Sequence, residues 1–248
     1  MKKLGIILVV LSLVFGLSLA AGAAQVVKVG TNAAFPPFEY VDENTREYTG
    51  FDIDLIKAIG KQAGFEVQII DVAWEGIIPG LLAGNYDIIA SAMTITEERK
   101  QSVNFSDPYF NAEQVILVPA SDNTTRSPED LRGKAVAVQL GTTGDFVASD
   151  LPGLRKVARF AEVTDAIQEM LNGNVAAVIC DNFVAIEYMQ ANPHRAKVVP
   201  GSFFDPEYYG FAIHKRNTEL LKKVNAALAE LKANGTYDQI YNKWFGTK

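Results

Sequence analysis

The fold is decided by residues 50–90, GFDIDLIKAIGKQAGFEVQIIDVAWEGIIPGLLAGNYDIIA. This stretch predicts a helix, a strand, a helix and a strand, at residues 50–59, 65–70, 74–83 and 86–90. Gly64 ends the first helix as its C′ residue, and Ile77 and Leu81 lie on one face of the second. Alternation of this kind predicts an α/β fold, a mostly parallel sheet covered by helices.

The same alternation continues outside this stretch. A strand is predicted at 26–29 and a loop at 119–128. Further helices are predicted at 128–131, 164–171, 181–190 and 219–232, and further strands at 135–138, 175–179 and 209–213. The end of the chain carries Tyr237, Tyr241, Trp244 and Phe245, an apolar face that must dock on another surface. Two strand–helix sets joined around residues 111–119 predict two lobes.

The N-terminus has the pattern of an export signal. Lys2 and Lys3 precede an apolar run over residues 4–19, and small residues follow at 20–24. We expect a signal peptide over residues 1–24, cleaved near Ala23–Ala24, because the apolar run falls short of the ~20 residues of a membrane span. No cysteine lies near the cleavage site to take a lipid. The expectation is therefore a soluble periplasmic protein.

Composition argues against several classes of function. The formal charge is −6, and loss of the two N-terminal lysines takes it to −8, which disfavours nucleic acid as a partner. Cys180 is the one cysteine, so an intramolecular disulfide is impossible. The two histidines, His194 and His214, have no metal-ligand spacing. We therefore expect no metal, no cofactor and no histidine-based catalytic site.

Residues 91–100, SAMTITEERK, contain groups that can bind a carboxylate. Thr96 is a predicted N-cap that follows a buried strand, and Arg99 offers a planar, two-pronged match to a carboxylate. These residues alone fit a capped surface helix with a solvated arginine equally well.

Ligands of open α/β sheets bind at the carboxyl ends of the strands. Loops 31–38, 91–99 and 139–145 lie at such ends, as does Asp181, and they meet in one cleft if the lobes face each other. Asp181 can bind an ammonium or act as an N-cap. Arg99 and Asp181 together fit an amino-acid zwitterion, with hydroxyls from Thr94 and Thr142.

Motifs along the chain add a family resemblance. They are Gly50-Phe51-Asp52-Ile53-Asp54-Leu55, Met93-Thr94-Ile95-Thr96-Glu97-Glu98-Arg99, Phe105-Ser106-Asp107-Pro108-Tyr109, Asn234-Gly235-Thr236-Tyr237 and Lys243-Trp244-Phe245. In these motifs the chain resembles the periplasmic polar amino acid-binding proteins of ABC importers, solute-binding protein family 3. The resemblance implies a type II periplasmic binding protein of two α/β lobes joined by two hinge strands, with the ligand in the interlobe cleft. Lobe 1 would comprise residues 25–112 and 206–248, and lobe 2 residues 113–205.

The resemblance also implies roles for individual residues. Arg99 would bind the ligand α-carboxylate, Asp181 the α-ammonium and Thr94 both groups, while Thr142 and Thr143 reach the carboxylate from lobe 2. The Ser91 carbonyl, with Ala92 beside it, and the aromatic side chains Phe35 and Trp74 would complete the pocket. From the residues alone, Phe35 and Trp74 also fit an ordinary packed loop and core.

Asn32 and Gln139 bear on the ligand side chain, because both are neutral and both can hydrogen-bond an amide. They favour glutamine or a similar neutral polar L-amino acid. The run over residues 138–144 also resembles arginine-binding members, so arginine or lysine remains an alternative.

The implied protein is a monomer and not an enzyme, and it delivers its ligand by lobe closure to the transmembrane subunits of an ABC permease. Periplasmic dehydratases on the same fold are the alternative class. A dehydratase needs a general acid in the cleft, for which Glu39 and Glu75 are the candidates.

Overall fold

The computed structural model describes residues 25–246, in which strands and helices alternate. The strands are β1 Gln25–Thr31, β2 Ala34–Phe35, β3 Glu39–Val41, β4 Tyr48–Thr49, β5 Phe65–Asp71, β6 Ile88–Ile89, β7 Val103–Phe105, β8 Phe110–Pro119, β9 Ala135–Gln139, β10 Lys156–Phe160, β11 Ala177–Asp181, β12 Ala196–Val198, β13 Pro206–Tyr209 and β14 Ala212–His214. The helices are α1 Phe51–Ala63, α2 Ile77–Ala83, α3 Glu97–Ser102, α4 Thr143–Asp150, α5 Val163–Leu171, α6 Asn182–Ala191, α7 Thr218–Ala233 and α8 Thr236–Phe245. The predicted signal peptide lies outside the described residues.

Two sheets carry the architecture. The first has the strand order β5-β1-β6-β14-β7 and the second β10-β9-β11-β8-β12. In each, three strands run parallel, β5-β1-β6 and β10-β9-β11, before an antiparallel neighbour follows. Strands β2, β3 and β4 form a small third sheet. The expected two-lobe α/β fold with mostly parallel sheets is confirmed.

Strands β8 and β13 connect the two sheets side by side. Residues 110–113 of β8 pair antiparallel with β13, in the register Phe110 to Tyr209. The continuation of β8 then pairs with β11 inside the second sheet. The expected lobe boundaries at residues 112 and 206 fall within these strands and stay a prediction.

Several predicted elements differ in detail from the structure. The helix expected at 74–83 begins as a 3-10 turn at Trp74–Gly76, and the strand expected at 86–90 is reduced to β6. The strand expected at 209–213 is broken, because Gly210 donates its N–H to the carbonyl of Met93 between β13 and β14. None of the helices within residues 25–246 combines the length and apolar composition needed to cross a bilayer.

Helix α1 shows how local sequence fixes an element. Gly50 precedes it with φ 129°, and a Cβ there would lie 2.0 Å from the carbonyl oxygen of Phe38, so only glycine fits. Gly64 ends the helix in the left-handed region at φ 79°, as predicted. Phe51, Leu55 and Ile59 are fully buried along the predicted apolar face.

An aromatic cluster around Phe38 ties distant parts of the chain together. The ring of Phe38 lies 4.9 Å from Phe110, 5.2 Å from Tyr209, 5.5 Å from Phe245 and 6.3 Å from Phe183, measured between centroids. Phe245 ends α8, which thereby docks its apolar face as expected. Because Phe183 lies in the first turn of α6, directly after β11 of the second sheet, the cluster spans both sheets.

Substitution of Phe38 by alanine tests how much this aromatic cluster contributes to the free energy of unfolding. Phe38 is fully buried, so Phe38→Ala is expected to lower the free energy of unfolding by about 3–5 kcal/mol. Phe146→Ala, at a phenylalanine that is 39% exposed, is the matched control, with a loss below about 1 kcal/mol. Urea denaturation measures both, and similar losses would contradict the assignment.

Candidate functional site

The eleven predicted site residues line a single cavity. Together with Glu39 they make up its lining. The predicted residues are Asn32, Phe35, Trp74, Ser91, Ala92, Thr94, Arg99, Gln139, Thr142, Thr143 and Asp181. Their convergence follows from the topology, because Asn32 follows β1, Gln139 ends β9 and Asp181 ends β11. That they contact a ligand stays a prediction.

Arg99 projects from α3 and is buried, with 7% of its surface exposed. Its Nη1 donates to the Thr94 carbonyl at 2.8 Å, and its Nη2 donates to the Gly141 carbonyl at 3.2 Å, across the cleft. Its Cζ lies 5.3 Å from the ring centroid of Trp74. Thr96 caps α3 as predicted, but burial rules out the alternative of a solvated arginine. Two of five N–H donors are used, which leaves donors for an anion.

Backbone amides from both sides supplement Arg99. Thr94 forms an antiparallel bridge with Tyr209 that uses the amides of Ile95 and Gly210, so the Thr94 amide takes no part in it. On the opposite side, Thr142 is the N-cap of α4 and accepts from the Asp145 amide. The backbone N–H groups in the first turn of α4, including that of Thr143, therefore point out of the N-terminal end of the helix, which lies at the cavity.

Asp181 lies at the N-terminus of α6 but its side chain does not cap that helix. Instead, its Oδ1 accepts a hydrogen bond from the Tyr209 hydroxyl. Burial, followed by the repulsion of Glu207, raises the pKa of Asp181 to about 6. Asp181 thus occupies the N-cap position without capping the helix through its side chain, and its carboxylate is held at the cavity that it lines.

Asn32 and Gln139 bond to each other rather than facing the cavity independently. Gln139 Nε2 donates to Asn32 Oδ1 at 3.3 Å and to the Ala161 carbonyl at 3.0 Å. Asn32 Nδ2 donates to Glu162 Oε1 at 3.2 Å, and Glu162 Oε2 lies 3.5 Å from Gln139 Nε2. Burial raises the pKa of Glu162. The amide donors of both residues are thus turned towards a carboxylate beside the cavity.

Ser91 links Asn32 to Glu39. Its hydroxyl accepts from the backbone N–H of Asn32 at 3.0 Å and donates to Glu39 Oε1 at 2.9 Å. Glu39 Oε2 is buried and has no hydrogen-bond partner among residues 25–246. Burial, followed by repulsion from Asp52, raises the pKa of Glu39 well above its ordinary value. One carboxylate oxygen in the cavity wall is therefore left without a donor.

Asp52 braces the loop that carries Ser91 and Ala92. Its Oδ2 accepts from the Ala92 amide at 2.8 Å and from the Tyr109 hydroxyl at 2.5 Å. Ala92 has φ 43°, an uncommon conformation for alanine that these bonds hold in place. Burial raises the pKa of Asp52 to about 7.

Phe35 and Trp74 form the apolar walls. Both are half-buried, and Phe35 packs against apolar clusters of both sheets. Trp74 packs against the cluster that contains Met93 while its ring faces Arg99. The structure therefore combines packing roles with exposure to the cavity at both positions.

Four carboxylates at or beside the cavity were missed or misread from sequence. Glu39 was considered only as an acid for the alternative enzyme class, and Asp52, Glu162 and Glu207 were not nominated as site residues. For Glu207 the one available signal was its position two residues before Tyr209, because residues two apart in a strand share a face. Asp52 was indistinguishable from Asp54, since both lie in the first turn of α1.

The cavity therefore offers a cation and free amides for a carboxylate, and carboxylates for one or more cations. Arg99 is the one cationic side chain among the cavity-lining residues in the described part of the chain. Glu39 and Asp181 line the cavity, and Glu162 and Glu207 bond to residues that line it. This charge pattern suits a zwitterion that carries an additional positive charge.

Comparisons with known proteins agree with this geometry. The model of the bacterial extracellular solute-binding proteins, family 3, matches residues 27–247. A probable histidine-binding protein of Neisseria gonorrhoeae is 38% identical over 229 residues, covering 91% of this chain and 85% of that protein. ABC transporter arginine-binding protein 1 of Escherichia coli K12 is 35% identical over 249 residues, covering 99% of each.

Solved structures show the same similarity. An ancestral arginine-binding protein, with structures bound to glutamine and to arginine, is 47% identical with a TM-score of 0.85, covering 90% of this chain and 99% of that one. An ancestral amino acid-binding protein described as a precursor of cyclohexadienyl dehydratase is 44% identical with a TM-score of 0.83, covering 89% of this chain and 96% of that one. With its two-lobe fold and a family match from residue 27 to residue 247, the chain belongs to family 3 of the bacterial extracellular solute-binding proteins.

Proposed function

We propose that this protein captures an L-amino acid with a cationic side chain, arginine first, for an ABC importer. The observation that carries the proposal is the buried Oε2 of Glu39 in the cavity wall, which has no hydrogen-bond partner within the part of the chain that the structure describes. A buried carboxylate without a donor is costly, and a guanidinium in the cavity would supply the missing donor together with a positive charge. The names of the arginine- and histidine-binding relatives support the same ligand class.

The main-chain groups of the ligand match the opposite charges in the cavity. The α-carboxylate binds Arg99 together with the amides of Thr94 and Thr143, and the α-ammonium binds Asp181. Arg99 and Asp181 both bear protein hydrogen bonds that fix their positions before the ligand arrives. Such preorganisation reduces the entropic cost of binding.

The hydrogen bonds of Asn32 and Gln139 favour arginine over glutamine. A glutamine side chain needs both a donor and an acceptor, whereas the amide donors of Asn32 and Gln139 are directed to Glu162 and to each other. A guanidinium needs only acceptors, and Glu39 provides one. The sequence-based preference for glutamine becomes the second candidate, supported by the glutamine-bound structure of the ancestral relative.

Binding rather than catalysis is the role we propose for Glu39. Its high pKa would also suit a general acid for dehydration, the alternative class. The curated relatives compared above are binding proteins by name, and a cationic ligand accounts for the buried carboxylate without a reaction. The counterpart Glu75 is exposed and lies outside the cavity lining.

Closure of the two lobes is the mechanism we propose for capture. The bond from Arg99 Nη2 to the Gly141 carbonyl and the bond between Gln139 and Asn32 both cross the cleft. A ligand between them stabilises the closed form by adding contacts to both sides. Periplasmic location, cleavage of residues 1–24, a monomeric state and recognition of the closed form by the permease complete the proposal.

A calorimetric titration with L-arginine, L-lysine, L-histidine, L-glutamine and L-glutamate tests the ligand class. We expect arginine to bind at least about tenfold more tightly than glutamine, since a charged hydrogen bond to a buried carboxylate is worth about 1.5–3 kcal/mol. Glutamate is expected to give no signal. Tighter binding of glutamine than arginine would refute the cationic preference, and silence with all five would refute amino-acid capture.

Replacement of Glu39 by glutamine tests the residue that carries the proposal. Glu39→Gln is expected to weaken arginine binding by about 10- to 100-fold, because the guanidinium loses its charged acceptor, while glutamine binding changes less than about threefold. Glu43→Gln, at an exposed glutamate outside the cavity, is the matched control and is expected to bind like the unmodified protein. Equal losses for arginine and glutamine would contradict a side-chain role for Glu39.

The raised pKa of Asp181 predicts a pH dependence of binding. Because the free carboxyl has a pKa of about 6 and an ammonium partner lowers it, the complex holds fewer protons than the free protein. Affinity is therefore expected to fall as pH drops below 6, by up to about tenfold per pH unit. Titrations between pH 7.5 and 5 measure this trend. An Asp181→Asn variant should bind weakly with a shallower dependence, and an unchanged profile would contradict the assignment.

A further inference from the structure

We infer that Glu207 is a positioning residue that turns the hydroxyls of Thr94 and Thr143 into acceptors and thereby selects the α-ammonium of the ligand. Glu207 lies on β13, the connecting strand, and is not among the residues that line the cavity. The inference rests on the proposed function, since it concerns the same cavity.

A single carboxylate oxygen gathers three donors. Glu207 Oε2 accepts from Thr94 Oγ1 at 2.9 Å, from Thr143 Oγ1 at 2.9 Å and from Gln114 Nε2 at 3.2 Å. Thr94, Thr143 and Gln114 are all buried. In all three bonds the Glu207 oxygen is the acceptor, so the hydrogens of both threonine hydroxyls point to it.

The bonds to Glu207 limit what the two threonine hydroxyls can offer a ligand. Each threonine hydroxyl has one hydrogen and two lone pairs. Because Thr94 and Thr143 both donate their hydroxyl hydrogen to Glu207, their oxygens can only accept hydrogen bonds in the cavity that they line. Thr143 Oγ1 also accepts from Gln114 Nε2 at 3.1 Å, so Thr94 retains the larger free acceptor capacity.

This polarity sorts the two charged groups of an amino acid. A carboxylate meets unfavourable lone pairs at the two hydroxyls and is directed to Arg99 and the free amides, whereas an ammonium finds acceptors at Thr94 and Asp181. Alternate residues of a strand share a face, and β13 uses this twice. Glu207 fixes the threonine hydroxyls, and Tyr209 donates to Asp181. One strand thus organises both acceptors of the ammonium.

The experiment compares two ligands in two proteins. Glu207→Gln keeps the shape of the side chain but provides an amide donor, so a threonine hydroxyl is free to reverse. Binding of L-arginine is compared with binding of 5-guanidinopentanoate, which lacks only the α-amino group. We expect Glu207→Gln to weaken arginine binding at least about tenfold and to change binding of the analogue less than about threefold. Equal losses for both ligands would overturn the inference.

Glu113→Gln is the matched control. Glu113 lies on β8, pairs with Pro206 of β13, and its carboxylate accepts from Ser202. The Glu113→Gln substitution therefore removes one negative charge beside the same strand and leaves the hydrogen bonds of Thr94 and Thr143 intact. An arginine-selective loss in Glu113→Gln equal to that in Glu207→Gln would assign the effect to net charge and overturn the role of Glu207.

A Thr94→Val substitution in both backgrounds decides the matter if the analogue binds too weakly to measure. We expect Thr94→Val to weaken arginine binding strongly in the unmodified protein and less than about threefold in Glu207→Gln, because the acceptor is already lost there. Additive losses would overturn the inference. If L-glutamine proves to be the ligand, glutaramate serves as its analogue, and failure of the unmodified protein to bind any amino acid defeats the proposed function itself.

Discussion

The imbalance of buried charge at the cavity is the constraint on which the site depends. One arginine faces two carboxylates in the cavity wall, Glu39 and Asp181, and two more stand directly behind it, Glu162 and Glu207. Burial of carboxylates without cations is costly, and the raised pKa values of Glu39 and Asp181 express that cost. A ligand that carries two positive groups and one negative group relieves it.

The fold makes this arrangement possible by bringing strand ends together. Asn32, Gln139 and Asp181 stand at or after the carboxyl ends of parallel strands in two different sheets, so the cleft between the sheets collects them. Strands β8 and β13 connect the sheets and carry Gln114, Glu207 and Tyr209 directly beneath the cavity. The two strands that connect the sheets therefore also orient groups that line the cavity.

Sequence reasoning predicted the elements from local patterns, whereas much of the cavity lining, including Phe35, Trp74 and Thr143, was implied by the family resemblance. Gly64 as a helix end, Thr96 as an N-cap and the strand-end positions of Asp181 and Gln139 are readable from neighbours in the chain. Glu162 and Glu207 were missed because their partners are 130 and 113 residues away, at Asn32 and Thr94. The amides of Asn32 and Gln139 were expected to face the ligand, but their donors are engaged by Glu162, by the Ala161 carbonyl and by Asn32 itself. Prediction of the ligand side chain therefore depended on long-range contacts that no local sequence pattern encodes.

The most direct test of this charge arrangement is a crystal structure of the protein grown with L-arginine. We predict one arginine in the cavity, with its carboxylate on Arg99, its α-ammonium between Asp181 and the Thr94 hydroxyl, and its guanidinium within hydrogen-bonding distance of Glu39 Oε2. A cavity that stays empty at saturating arginine, or an arginine whose guanidinium points away from Glu39, would contradict it.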